Sequence, residues 1–154
     1  MAKVNFKVEG MKELERSLDK LGKVPQKHVT SASKKGMNIV LKQSRANAPY
    51  DTGALKKGIK LVGEKSKLKG KKVYRIVFDK EMNDVFQKKN EEGEVTGYYP
   101  VSQEYGFFAK NGRYIPGLRF IRDSLSDNAQ KMEKTIVDTM KKKIDEEIRK
   151  AGLS

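Results

Sequence analysis

Asp51-Thr52-Gly53-Ala54 is the stretch of this chain whose residue types could most directly do chemistry. Two copies of such an aspartate can share one proton and activate water, provided that an apolar strand leads in and buries each carboxylate. Here the lead-in is Ala46-Asn47-Ala48-Pro49-Tyr50, the end of a helical pattern, so a structural turn is the better reading. His28 is the only histidine and there is no cysteine, so a metal would need several carboxylates converging on one imidazole. Its sequence neighbours are Lys20, Lys27 and Lys35, and His28 reads as a solvated helix residue. Ser31 and Ser33 have no histidine placed by spacing to take a proton. Gly106, Gly112 and Gly117 do not form a strand-to-helix phosphate loop. The residues spell out no catalytic constellation, and neither a cofactor nor a metal is expected.

Charge is the other chemical resource. The chain has 154 residues, a net charge of +14 and 35% charged residues, which favours solubility and attraction to anions without specifying a fold. Lys65, Lys67, Lys69, Lys71 and Lys72 crowd one stretch, with Lys56, Lys57 and Lys60 just before it. Such a cluster can contact a phosphate backbone in a salt-sensitive, sequence-blind way. It lacks the stacking aromatics or reading helix that specific recognition needs. A small basic nucleic-acid-binding module is therefore a rival reading carried by charge alone, and weak nonspecific DNA contact is the most it implies. The absence of cysteine rules out a disulfide framework. No apolar run reaches signal-peptide or bilayer-spanning length, so a soluble protein of the cytoplasm with no membrane partner is expected.

The length predicts one domain over residues 1–154. Val4, Phe6 and Val8 alternate as a short strand, and Met11, Leu14, Leu18 and Leu21 form a helical stripe stopped by Gly22. Pro25 suits the first turn of a second helix, whose narrow face is Val29, Ala32, Gly36, Met37, Val40 and Ser44. Small residues there would admit another element closely. Pro49 ends it, Gly53 can supply a positive φ, and Asp51 or Thr52 could cap a short turn from Ala54, with Leu55 inside. Ile59 to Gly63 and Val73 to Phe78 read as strands joined by the lysine-rich connection. Residues 80–97 read as an irregular hairpin with a mobile tip at Asn90 to Gly93.

The segment from Tyr98 to Leu125 gathers Tyr98, Tyr99, Tyr105, Phe107, Phe108, Tyr114 and Phe120 in a chain that is only 8% aromatic. Tyr99, Glu104, Tyr105 and Gly106 predict a buried turn, and residues from Pro116 on predict the opening of a helix. Leu118, Ile121, Leu125, Ala129, Met132, Ile136, Met140, Ile144 and Ile148 then keep one apolar stripe over about 118–150. A helix of about 30 residues is roughly 45 Å long, against a radius of gyration of about 15 Å for a compact chain of this size. Its distal turns, around Ile144 and Ile148, are expected to overhang and to fray or dock on a partner or a neighbouring copy. The fold class predicted is α+β, a small antiparallel sheet packed by N-terminal helices and a long C-terminal helix.

Four blocks stand in order: Gly10-Met11-Lys12-Glu13-Leu14 with Leu18 and Leu21; Ala48-Pro49-Tyr50-Asp51-Thr52-Gly53-Ala54-Leu55; Tyr99 with Glu104-Tyr105-Gly106; and Phe120-Ile121-Arg122-Asp123-Ser124-Leu125. Together they resemble the neck and tail-completion family of long-tailed phages, typified by the gene-ten product of the HK-ninety-seven type. Three departures stand out: Gly117, Leu118 and Arg119 separate Pro116 from Phe120, Phe107 follows Gly106, and residues 80–97 are long. The resemblance implies a non-enzymatic virion protein, assembled in the host cytoplasm, that joins the head-closure protein to the tail terminator or tube, as a ring of copies. A tail terminator that caps the tube is the alternative within phage assembly. The residues singled out are Pro49, Thr52, Gly53 and Leu55 for the turn, and Tyr99, Glu104, Tyr105, Gly106, Phe120 and Leu125 for the packing of the aromatic segment. Ile144, Ile148, Asn90 and Gly93 are the candidate interface.

Overall fold

A computed structural model describes residues 26–150. The strand expected at Val4 to Val8 and the helix from Met11 to Leu21 lie outside the described residues. The class is α+β, helices with small antiparallel sheets and a long C-terminal helix. The order is α1 (Gln26–Asn47), α2 (Ala54–Gly58), β1 (Ile59–Gly63), β2 (Tyr74–Phe78), a 3-10 turn (Lys80–Met82) and α3 (Asn83–Phe86). Then come β3 (Gln87–Lys89), β4 (Val95–Tyr98), α4 (Tyr99–Tyr105), β5 (Gly106–Phe108), β6 (Tyr114–Pro116) and α5 (Phe120–Lys150). The strands pair as three separate two-stranded ribbons, β1 with β2, β3 with β4, and β5 with β6. Among the described residues two compact units result: one holds residues 26–37, Gly63–Tyr74 and residues 129–150, the other Asn38–Val62 and Arg75–Asn128.

In the first unit, α1 and α5 pack closely because α1 offers almost no side chain at the contact. Ala32 and Gly36 are buried, and a side chain at Gly36 would meet Ile136 Cγ1 at 2.6 Å. Met132, Ile136 and Met140 of α5 are buried, the middle of the stripe read from the sequence. His28 shares the buried face instead of facing solvent as expected, and its Nε2 donates to Glu147 Oε1 at 3.0 Å. That bond holds the Glu147 carboxyl below the usual range. Ile144 and Ile148 are half-buried.

The second unit is built on Leu55, Ile59 and Phe120, with Leu41, Ala48, Ile76, Phe78, Tyr99 and Ile121 packed around them. Phe78 is a hub of ring contacts, edge-on to Phe86 at 6.4 Å and Tyr98 at 6.5 Å between centroids and tilted against Phe120 at 6.4 Å. Edge-on geometry sets the positive ring edge on the negative face. Phe86, assigned from sequence to a loop-like hairpin, is fully buried at the end of α3. Its placement depends on Asp79, whose N–H donates to Gly58 O at 2.7 Å and whose carboxylate caps the 3-10 turn at Glu81 N. Lys60 pairs with that same carboxylate and holds its pKa down. α1 ends where Pro49 forbids continuation, and Arg45 reaches forward to donate twice to Ile59 O, at 3.0 and 2.6 Å.

Phe86→Ala empties a site walled by two rings, so urea unfolding should show a loss of about 3–5 kcal/mol. A loss below about 1 kcal/mol would mean that the aromatic cluster is not the core of its unit.

Candidate docking surface

The turn after α1 forms as its residue types require. Gly53 takes φ +79°, and Thr52 Oγ1 accepts the Ala54 N–H at 3.3 Å as α2 begins. Leu55 is buried beneath it, while Pro49 and Thr52 line an open cleft of 390 Å³ with Phe86 and Tyr99. Asp51 is exposed on the rim, so this turn lacks the buried carboxylate that paired-aspartate hydrolysis requires.

The aromatic segment departs from the buried turn predicted for it. Tyr99 to Tyr105 is a helix, opened by a buried Pro100 in its first turn. Glu104 is only 3% exposed, and its carboxylate faces the N-terminus of α5, where Oε2 accepts from Ile121 N and Oε1 from Arg122 N, both at 3.0 Å. It thereby satisfies two of the backbone donors that a helix start leaves unpaired. Burial raises the Glu104 pKa above the usual carboxylate range; the Ile121 N–H opposes that rise, Asp123 adds to it and Arg119 opposes it. Tyr105 lies on the other side of α4 and is 59% exposed, a correction to its place in the packed set. Leu125 is half-buried and Ser124 fully buried, where Ser124 Oγ accepts from Asn47 Nδ2 at 3.1 Å. The helix opens at Phe120; Leu118 precedes it and is exposed.

Gly106 leaves α4 at φ +92°, and a side chain there would collide with the Ile115 carbonyl. The chain then runs out and back as β5 and β6, with Phe107 opposite Ile115 and Phe108 opposite Tyr114. Phe108 and Tyr114 pack as a tilted pair with centroids 5.2 Å apart, yet Phe108 is 75% exposed. Phe107, Tyr114, Tyr105 and Leu118 are exposed as well, and Lys110 and Arg113 sit at the tip. Large apolar side chains are thus exposed on and beside one short ribbon, which makes it a candidate interaction surface. Sequence reading missed it by treating the aromatic run as core. The Asn90–Gly93 tip of the β3–β4 hairpin is exposed and polar, held by Gly93 N donating to Asn90 O at 3.0 Å.

Among the described residues no group of histidine and acidic side chains could hold a metal, and no helix is long and apolar enough to cross a membrane. Residues 12–100 match the family described as "Bacteriophage HK97-gp10, putative tail-component". The chain belongs to this family. As a member of the HK97-gp10 tail-component family it has a structural role in a phage tail, with other virion proteins as its contacts. The matched span holds Pro49, Thr52, Gly53, Leu55 and Tyr99; Glu104, Phe120 and the β5–β6 ribbon lie beyond it. No curated protein and no solved structure matches the chain.

Glu104→Gln keeps one acceptor and leaves one of the two amides facing an NH₂ group, so it should cost about 1–3 kcal/mol in chemical unfolding. The pH profile gives a second reading. With its folded pKa raised, Glu104 in the native state holds its proton above about pH 4.3, where the unfolded carboxyl releases it. Native protein then binds more protons than unfolded, and this group's contribution to stability falls as pH rises through the folded pKa. The stability difference between the native chain and Glu104→Gln should therefore narrow as pH rises from about 4 through that window. A parallel pair of profiles would remove the buried carboxylate from this account.

Proposed function

We propose that the chain is a tail-completion or neck protein of a long-tailed phage or prophage. In this reading it joins the head-closure protein to the tail terminator or tube as a ring of copies, assembled in the host cytoplasm. Its function is contact rather than covalent chemistry. The observation that carries the reading is the β5–β6 ribbon: Phe107, Phe108 and Tyr114 are exposed on an element whose base is pinned at Glu104 and Gly106. A ribbon of three-residue strands gains nothing for its own fold by holding those rings in water, and burying them against another subunit is favourable at about 25 cal/mol per Å² of apolar surface. The family match supports a tail role in general. The hairpin tip at Asn90 and Gly93 and the distal turns of α5 at Ile144 and Ile148 are proposed as further contacts, the former exposed and the latter half-covered within the chain.

Removing the gene from the phage or prophage that carries it should yield DNA-filled heads and tails of normal length that fail to join. Overlong tails would instead assign the terminator role, and complete infectious particles would overturn both. Complementation with a Phe107→Asp, Phe108→Asp variant should fail to restore joining while its circular dichroism stays native, because both rings are at the surface.

A further inference from the structure

The connection between β1 and β2 holds its lysines on a backbone that is tied down along its length. Gln26, the first residue of α1, uses both ends of its amide: Nε2 donates to Lys71 O at 3.0 Å and Oε1 accepts from Gly70 N at 2.8 Å. The Ser66 hydroxyl faces both Leu68 O, at 2.7 Å, and Lys71 O. Lys71 N donates to Leu68 O at 3.3 Å, and Glu64 N to Val73 O at 2.9 Å. Lys72 is used within the fold, donating to Glu64 O at 2.5 Å with its ammonium 5.5 Å from the Tyr74 ring centre. Lys65, Lys67, Lys69 and Lys71 differ from it: they are exposed, and among the described residues they enter no ion pair.

Four uncompensated cations on one short loop repel each other, and a loose loop would let them spread. Here a glutamine, a serine and the backbone fix the arch that keeps them together. A fixed cluster of ammonium groups fits a partner with closely spaced negative charge, and lysine meets phosphate as a point charge without selecting a base. Leu68 is the loop's only exposed large apolar side chain, too little for insertion into a lipid surface. We propose that this clamped loop grips the phosphate backbone of double-stranded DNA through Lys65, Lys67, Lys69 and Lys71, without regard to sequence. The inference does not depend on the head-to-tail joining role: a chain that failed to join heads to tails would still bind DNA, and the reverse.

The test is fluorescence anisotropy of the full chain with a labelled duplex of about 30 base pairs, at salt from about 50 to 200 mM. With four phosphate contacts the slope of log K against log salt should be about −3.6, so affinity falls roughly 100-fold over that range. The Lys65→Ser, Lys67→Ser, Lys69→Ser, Lys71→Ser variant should lose most of that slope. A control with the same charge change on exposed α5 residues, Lys131→Ser, Lys134→Ser, Lys141→Ser, Lys142→Ser, should keep it. Gln26→Ala should weaken binding about threefold with the slope retained, because only the ordering of the loop is lost. The proposal fails if the native chain does not bind at the lowest salt, if the loop variant keeps its slope, or if the α5 control loses as much. It fails also if phosphatidylserine vesicles are bound and DNA is not. An unchanged Gln26→Ala affinity would overturn the role given to the clamp.

Discussion

A single buried carboxylate organises the C-terminal half of the second unit. Glu104 sits at the end of α4 and accepts from the first free amides of α5, so a helix of seven residues fixes where a helix of 31 begins. The same stretch is closed by backbone: Leu118 N donates to Gln103 O at 2.8 Å and Arg119 N to Glu104 O at 3.0 Å. Arg119 takes φ +50°, unusual for a residue with a side chain, and its carbonyl accepts from Asp123 N at 2.8 Å. Burying a carboxylate costs several kcal/mol when it is unpaired. Two amide donors and the positive end of the helix offset part of that cost, while burial still pushes the Glu104 pKa up.

Once the base of the loop is closed in this way, the residues between must leave the core. Gly106 and Pro116 face each other at the foot of the ribbon, and the Tyr114 hydroxyl donates to Tyr105 O at 2.7 Å. Phe107 and Phe108 cannot fold back past that foot. One aromatic segment therefore supplies two populations: Tyr98, Tyr99 and Phe120 join Phe78 and Phe86 inside, while Tyr105, Phe107, Phe108 and Tyr114 stay out. The division follows from the geometry of the clamp and not from the hydrophobicity of the residues.

That division explains which parts were legible in the sequence. Features that depend on local spacing were readable: the stop of α1 at Pro49, the positive φ of Gly53, the strand at Tyr74–Phe78 and the buried middle of the α5 stripe. Features that depend on a distant partner were not. His28 lies four residues before Ala32 and eight before Gly36, so its place on the buried face was available from spacing. It was masked by its lysine neighbours, and its partner Glu147 is 119 residues away. Nothing local marks Glu104 as the cap of a helix that starts 16 positions later, and Phe86 is packed by rings from two other elements, Phe78 of β2 and Tyr98 of β4.

The two exposed features obey different physics, which makes them separable. Rings on the β5–β6 ribbon gain from leaving water, and that gain is insensitive to moderate salt. Ammonium groups on the β1–β2 loop gain by releasing counterions from a polyanion, and that gain falls steeply as salt rises. Area in a well-packed contact governs how long a complex lasts, whereas charge chiefly governs how fast partners meet and which partners are rejected. In this chain the lysine loop belongs to one compact unit and the aromatic ribbon to the other, so each kind of attraction can be probed by substitutions confined to its own unit.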